Sequence, residues 1–261
     1  MGSAQGDEFR VYTRLIDLSR PAEPGAPSPP VVSRSLTLFH AGQAFDYLDE
    51  IGELTVFQPA RNRFVVISGQ QPLSTVVDFE ELQRLEKVSR EGLQRELQQL
   101  ARRDDRAARE SAELIRFALA PQFDESFDAA TGVLTLTSPR WRYRVECVNA
   151  KDAALLNRYL DYADWTRRLN AVLHPNSLFP APRIVLNDRL RARRLWPVVV
   201  ELELNITPPI RLRAEHQFHW RLDSKDRGNL LHWTSLLQRD ERKQVPLAEY
   251  QKRMLGAMLR R

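Results

Sequence analysis

Five histidines, one cysteine, three acid pairs and a run of arginines are the side chains whose types and spacing could support chemistry. His216 and His219 stand three apart, a separation that would suit two metal ligands on one helix turn. They fall, however, in the alternating run Ile210–Leu222, which reads as a β-strand, where positions three apart face opposite ways. His40, His174 and His232 are scattered. No metal site is expected; His216 reads as a hydrogen-bonded core histidine and His219 as a surface one. Cys147 is the single cysteine, which excludes an internal disulfide and any multi-cysteine cluster. It shares one side of a strand pattern with Trp141 and Tyr143, so it reads as a buried thiol without the accessible, electropositive setting of a reactive one.

The acid pairs are Asp49–Glu50, Asp104–Asp105 and Asp161/Asp164. On a helix, Asp161 and Asp164 are near enough for acid–base work, but Arg158 and Arg168 stand at ion-pairing distance along the same helix and account for both. No GxSxG elbow, P-loop or GxGxxG fingerprint occurs. No catalytic residue and no cofactor is expected, and the chain reads as a non-enzyme.

Two collective features remain. Arg189, Arg191, Arg193 and Arg194 form a basic patch on a short helix, suited to phosphates, anionic lipid head groups or an acidic protein partner. Aromatics are not interleaved with these arginines as an RNA-binding sheet requires, so nucleic acid is not the expected partner. Phe45, Tyr47, Trp141, Tyr143, Phe218 and Trp220 fall on strand faces expected to line the inside of a curved sheet. Such a face can hold an apolar ligand under a helical lid, or can be filled by its own side chains as a core.

The elements that position these groups can be read from periodicity. Strands are expected at Phe9–Leu18, Val31–His40, Gln43–Leu48, Glu53–Gln58 and Arg63–Ser68, joined by short turns and therefore antiparallel. A proline-rich loop spans 20–30. From Asp78 the period becomes helical and continues to about 119, with a charged middle at Arg102–Glu110. Strands follow at Val133–Thr137 and Arg140–Val148, then a helix at Asp152–Leu173 and the arginine-rich helix Ile184–Trp196. A hairpin of Val198–Ile206 with Ile210–Leu222 comes next. If its turn centres near Thr207, Glu203 pairs with Arg211 and Glu201 with Arg213. Helices at about 225–238 and 246–260 close the chain.

The 261 residues carry 39 basic and 34 acidic side chains, a formal +5, and only five of the basic ones are lysine. At 43% hydrophobic residues the chain can bury a core, and no apolar run is long enough to cross a bilayer. The fold class expected is α+β: a curved antiparallel sheet, incomplete as a barrel, covered by helices, with a long charged helix inserted at about 78–119. Residues 1–8 read as a disordered terminus opening on the expression scar Met1-Gly2-Ser3, and 9–261 as a single domain.

The stretch from Ser35 to Asp49 (SLTLFHAGQAFDYLD), followed by Glu53–Pro59 (ELTVFQP) and Arg63–Ile67 (RFVVI), resembles the periplasmic lipoprotein-carrier superfamily, the LolA/LolB-like proteins. The shared pattern is apolar strand, glycine turn, aromatic-Asp-Tyr strand, turn, apolar strand, over about 35–67. The resemblance implies an incomplete antiparallel barrel covered by helices, a periplasmic or secreted location with the signal peptide removed, and non-catalytic binding of a lipid or lipoprotein acyl chain. The alternative is an interaction module that docks an acidic partner through the arginine-rich helix.

Overall fold

In the computed structural model of the chain, residues 8–20, 29–174, 177–238 and 242–258 are described. The proline-rich loop expected over 20–30 and the segment 1–7 lie largely outside them. The first half holds β1 (Phe9–Asp17), β2 (Val31–His40), β3 (Gln43–Leu48), β4 (Glu53–Gln58), β5 (Arg63–Ile67), β6 (Leu73–Asp78), α1 (Phe79–Leu100) and α2 (Arg106–Leu119). The second holds β7 (Asp124–Asp128), β8 (Val133–Thr137), β9 (Trp141–Asn149), α3 (Ala153–Leu173), α4 (Ala181–Arg193), β10 (Leu195–Leu204), β11 (Ile210–His219), α5 (Ser224–Gln238), β12 (Lys243–Gln244) and α6 (Leu247–Met258).

The fold is α+β, as expected. Its strands hydrogen-bond in the order β12-β6-β5-β4-β3-β2-β1-β11-β10-β9-β8-β7, which does not close into a barrel. The pairing is mostly antiparallel, with β12 parallel to β6. Where the sequence reads as one domain, the packing falls into two compact units: Met1–Arg14, Ser33–Glu81 and His216–Arg261 form one, Leu15–Val32 and Leu82–Glu215 the other.

In the first unit the sheet is covered on both faces, and β4 (ELTVFQ) is buried along its whole length. One face carries Leu38, Phe45, Leu54, Val56 and Ile67, which pack with Leu222 and with Leu230 and Trp233 of α5. The other carries Phe9 stacked on Phe39 at 4.1 Å, and Phe57 and Phe64 against Phe79. A strand buried on both sides loses the alternation of a half-exposed one. α6 packs on β6 through Leu247, Tyr250 and Met254.

In the second unit β10 pairs with β9 on one side and β11 on the other. The expected register holds: Glu201 lies opposite Arg213 and Glu203 opposite Arg211, with a 3.0 Å ion pair between Arg213 and Glu201. Of the single helix or broken pair expected over 78–119, the structure has the pair, α1 and α2. Arg102–Asp105 offers no apolar residue to bury, and Asp105 caps α2 by accepting a 2.9 Å hydrogen bond from the Ala108 amide.

Candidate functional site

In the first unit a cleft of about 780 Å³ lies between the sheet and α5. That volume falls within the range of small-molecule sites. Its floor is apolar: Leu36, Tyr47, Leu54 and Ile67 from successive strands, with Trp233 and Leu236 from α5. The helix reaches this floor because Asp226, Asn229, Trp233 and Leu236 recur at spacings of three and four, one stripe of a 3.6-residue period. Trp233 lies 5.7 Å from the Tyr47 ring and 6.5 Å from that of Phe45.

A reciprocal cap sets where α5 begins. The Asp223 amide donates to Asp226 and the Asp226 amide to Asp223, each at 2.9 Å. Arg10 of β1 then binds both carboxylates, Asp223 at 2.8 Å and the buried Asp226 at 3.1 Å. The amide bond from Asp226 and the Arg10 cation hold the Asp223 carboxyl below its usual range. This network tethers the start of α5 to a strand of its own sheet.

Polar groups rim the apolar floor. Lys225, Asn229 and His232 come from α5, Gln217 and His219 from β11, and Tyr12 from β1. Arg242, just before β12, donates to the Ser68 carbonyl at 2.8 Å. Among the described residues neither Lys225 nor Arg242 has a carboxylate partner. The far rim is the backbone contact of Gly52 with Gly69. A Cβ on Gly69 would stand 2.1 Å from the Gly52 carbonyl oxygen, so no larger residue fits there without parting the two turns. Behind that rim, Glu53 is almost fully buried and accepts a 2.9 Å hydrogen bond from the Tyr250 hydroxyl. Burial pushes the Glu53 carboxyl up to about 7, and the nearby Asp46 charge adds to the rise.

The six aromatics expected on one inner face are not together. Phe45 and Tyr47 share the α5 side of the first unit's sheet. Phe218 and Trp220 stack on each other at 5.7 Å, and Trp220 packs on Phe9, which belongs to the opposite face. The alternating Gln217 and His219 are the β11 residues that line the cleft. Trp141 and Tyr143 are core residues of the second unit, in ring contact with Phe117 and Phe123.

The arginine patch is largely matched to the chain's own acids. Arg189 and Arg193 bind Glu125 at 3.2 and 2.6 Å, and Arg191 binds Asp161, Asp164 and Asp188 at 2.9–3.0 Å. Arg194 turns the chain in a left-handed conformation at the end of α4. Arg191 thus bridges Asp161 and Asp164, and Arg168 pairs with Glu86. Burial drives the Cys147 thiol up to about 12, far from thiolate reactivity. His216 hydrogen-bonds Thr13 at 3.0 Å.

Sequence reasoning missed the residues that make the cleft, namely Arg10, Leu36, Leu54, Trp233, Leu236 and Arg242. The Asp226–Leu236 stripe was a readable signal for the helix face; nothing in the sequence marks Arg10 or Arg242. No known family model matches this chain, and no curated protein matches it.

Proposed function

We propose that this is an exported, non-catalytic binding protein that takes an acyl chain, of a lipid or a lipoprotein, into the cleft between the sheet of the first unit and α5. The observation that carries this reading is a recess of about 780 Å³ with an apolar floor and a rim that includes two cations without carboxylate partners among the described residues. An alkyl chain gains about 0.8 kcal/mol for each methylene it buries. Leu36, Leu54, Ile67, Trp233 and Leu236 offer such a surface, and Lys225 and Arg242 can meet an anionic end. The resemblance of 35–67 to lipoprotein carriers points to the same ligand class. The interaction-module alternative is less favoured, because Arg189, Arg191 and Arg193 already carry carboxylates of this chain.

Calorimetric titration with oleate tests the reading. Wild type binds in the micromolar range at one site, and Leu36→Asp, which sets a charge in the floor at a half-buried position, weakens binding at least tenfold while circular dichroism is unchanged. Absence of oleate binding by folded wild type, or equal binding by the variant, overturns it.

A further inference from the structure

The opening along α5 continues past the first cleft. A second recess, of about 720 Å³, lies toward the C-terminal end of the helix, and the two share Ile67, Leu236 and Arg242 as lining. Its walls differ from those of the first in charge. Arg61, Arg63 and Arg242 line it, and no aspartate or glutamate does among the described residues. None of these arginines has a carboxylate within ion-pair reach among the described residues. Asp78 lies opposite Arg63 in register on β6, yet makes no ion pair with it.

Local structure places each cation. β4 and β5 are joined by the one-turn helix Pro59–Arg61 and by Asn62 in a left-handed conformation, so Arg61 and Arg63 stand at the same end of the sheet. A side-chain ladder crosses β3, β4 and β5 beside them. Gln58 Nε2 donates to Gln43 Oε1 at 2.9 Å, and Arg63 Nε donates to Gln58 Oε1 at 2.9 Å. Gln58 is buried, so the ladder fixes the Arg63 guanidinium through Nε. Its two terminal nitrogens make no hydrogen bond among the described residues. Arg242 is anchored through Nη1, to the Ser68 carbonyl at 2.8 Å and the Gln71 carbonyl at 3.4 Å.

A cleft lined by one sign of charge concentrates its field and draws in a counter-ion. Guanidinium groups already held by other bonds lose little freedom on binding, and their forks match the paired oxygens of phosphate. A carboxylate would bring a single negative charge to this group of cations. A phosphate monoester brings about −1.5 to −2 near neutral pH, with three acceptor oxygens.

We propose that this second cleft binds a phosphate group through Arg61, Arg63 and Arg242. Because it shares lining with the first cleft, the phosphate is the head of the ligand whose acyl chain lies there. That link, unlike the phosphate site itself, rests on the function proposed above.

Calorimetric titration of the full chain at fixed ionic strength tests it, with oleoyl lysophosphatidate below its micelle concentration, oleate and glycerol phosphate as probes. Lysophosphatidate is expected to bind about tenfold tighter than oleate. Arg61→Gln, at an exposed position, and Arg63→Gln each remove most of that advantage and leave oleate affinity unchanged. Arg84→Gln, which removes the same charge from an exposed position on α1, keeps it. Equal affinity for the two lipids overturns the phosphate site while the acyl-chain reading stands. An advantage that survives in both cleft variants, or is lost as fully in Arg84→Gln, also overturns the site. Glycerol phosphate binding that Arg63→Gln abolishes, without oleate binding, supports the phosphate site, assigns it to a free phosphate ester and overturns the acyl link. Binding of none of the probes overturns both.

Discussion

Tyr250 donates its hydroxyl to a carboxyl that has almost no access to water, and the burial of that carboxyl gives the first unit a pH dependence that the hydrogen bond only offsets. The Glu53 carboxyl titrates near 7 in the folded chain against 4.5 when exposed, because burial disfavours its charged form and Asp46 repels it. Between those two values the folded state holds more protons than the unfolded state, so stability falls as pH rises through the window. Below about 4.5 the group contributes no penalty; above 7 the penalty is complete, on the order of 3 kcal/mol. Glu53→Gln keeps an acceptor for Tyr250 and removes the titration. Urea unfolding at pH 5 and pH 8 should show the variant gaining on wild type at the higher pH. An equal difference at both pH values would contradict the burial argument. Cys147 carries no comparable consequence, since its thiol stays protonated across that range.

At the scale of elements, α5 matters most, and its position depends on one buried carboxylate. Asp226 is 1% exposed, caps the helix with Asp223 and holds Arg10. Asp226→Ala leaves Arg10 with half of its counter-charge and the Asp223 amide without its acceptor, while the Asp223 carboxylate still caps the helix. The expected loss is about 3 kcal/mol, read by chemical denaturation, together with weaker oleate binding as the first turn of α5 loosens. A variant as stable as wild type would show that α5 is held by Leu230 and Trp233 alone. Much of this level was legible beforehand. The β10–β11 register followed from Glu201 and Glu203 facing Arg211 and Arg213, because opposite charges across a hairpin allow one alignment. β6 (LSTVVD) was missed where its short apolar run meets the start of α1, and β7 (DESFD) because a largely exposed, acidic strand shows no apolar side. The charged stretch at 101–105 was visible, but the break into α1 and α2 depends on the Asp105 cap, which the sequence allows without requiring.

At the scale of the whole molecule, the sequence conveyed the class of fold but not which face each aromatic strand residue covers, for one physical reason. An apolar strand face signals burial but does not say against what. Phe218 and Trp220 are as aromatic as Phe45 and Tyr47, yet they sit with Phe9 on the other side of a sheet buried on both faces. The cleft side of β11 carries Gln217 and His219, which alternation alone assigns to solvent. The excess of basic over acidic residues spreads in the same way. Most arginines of the α4 patch are paired internally, whereas Lys225 and Arg242 at the cleft, like a number of other cations, have no carboxylate partner among the described residues. Where charge is uncompensated is therefore more informative than how much there is.

Photo-crosslinking tests whether an acyl chain lies on the floor beneath α5. A fatty acid bearing a diazirine along its chain is bound to the full protein, irradiated, and the labelled peptides are read by mass spectrometry. The account predicts one equivalent of label, on Leu36, Tyr47, Leu54, Ile67, Trp233 or Leu236, displaced by excess oleate. Label that is absent, is not displaced, or falls only outside these positions would contradict it.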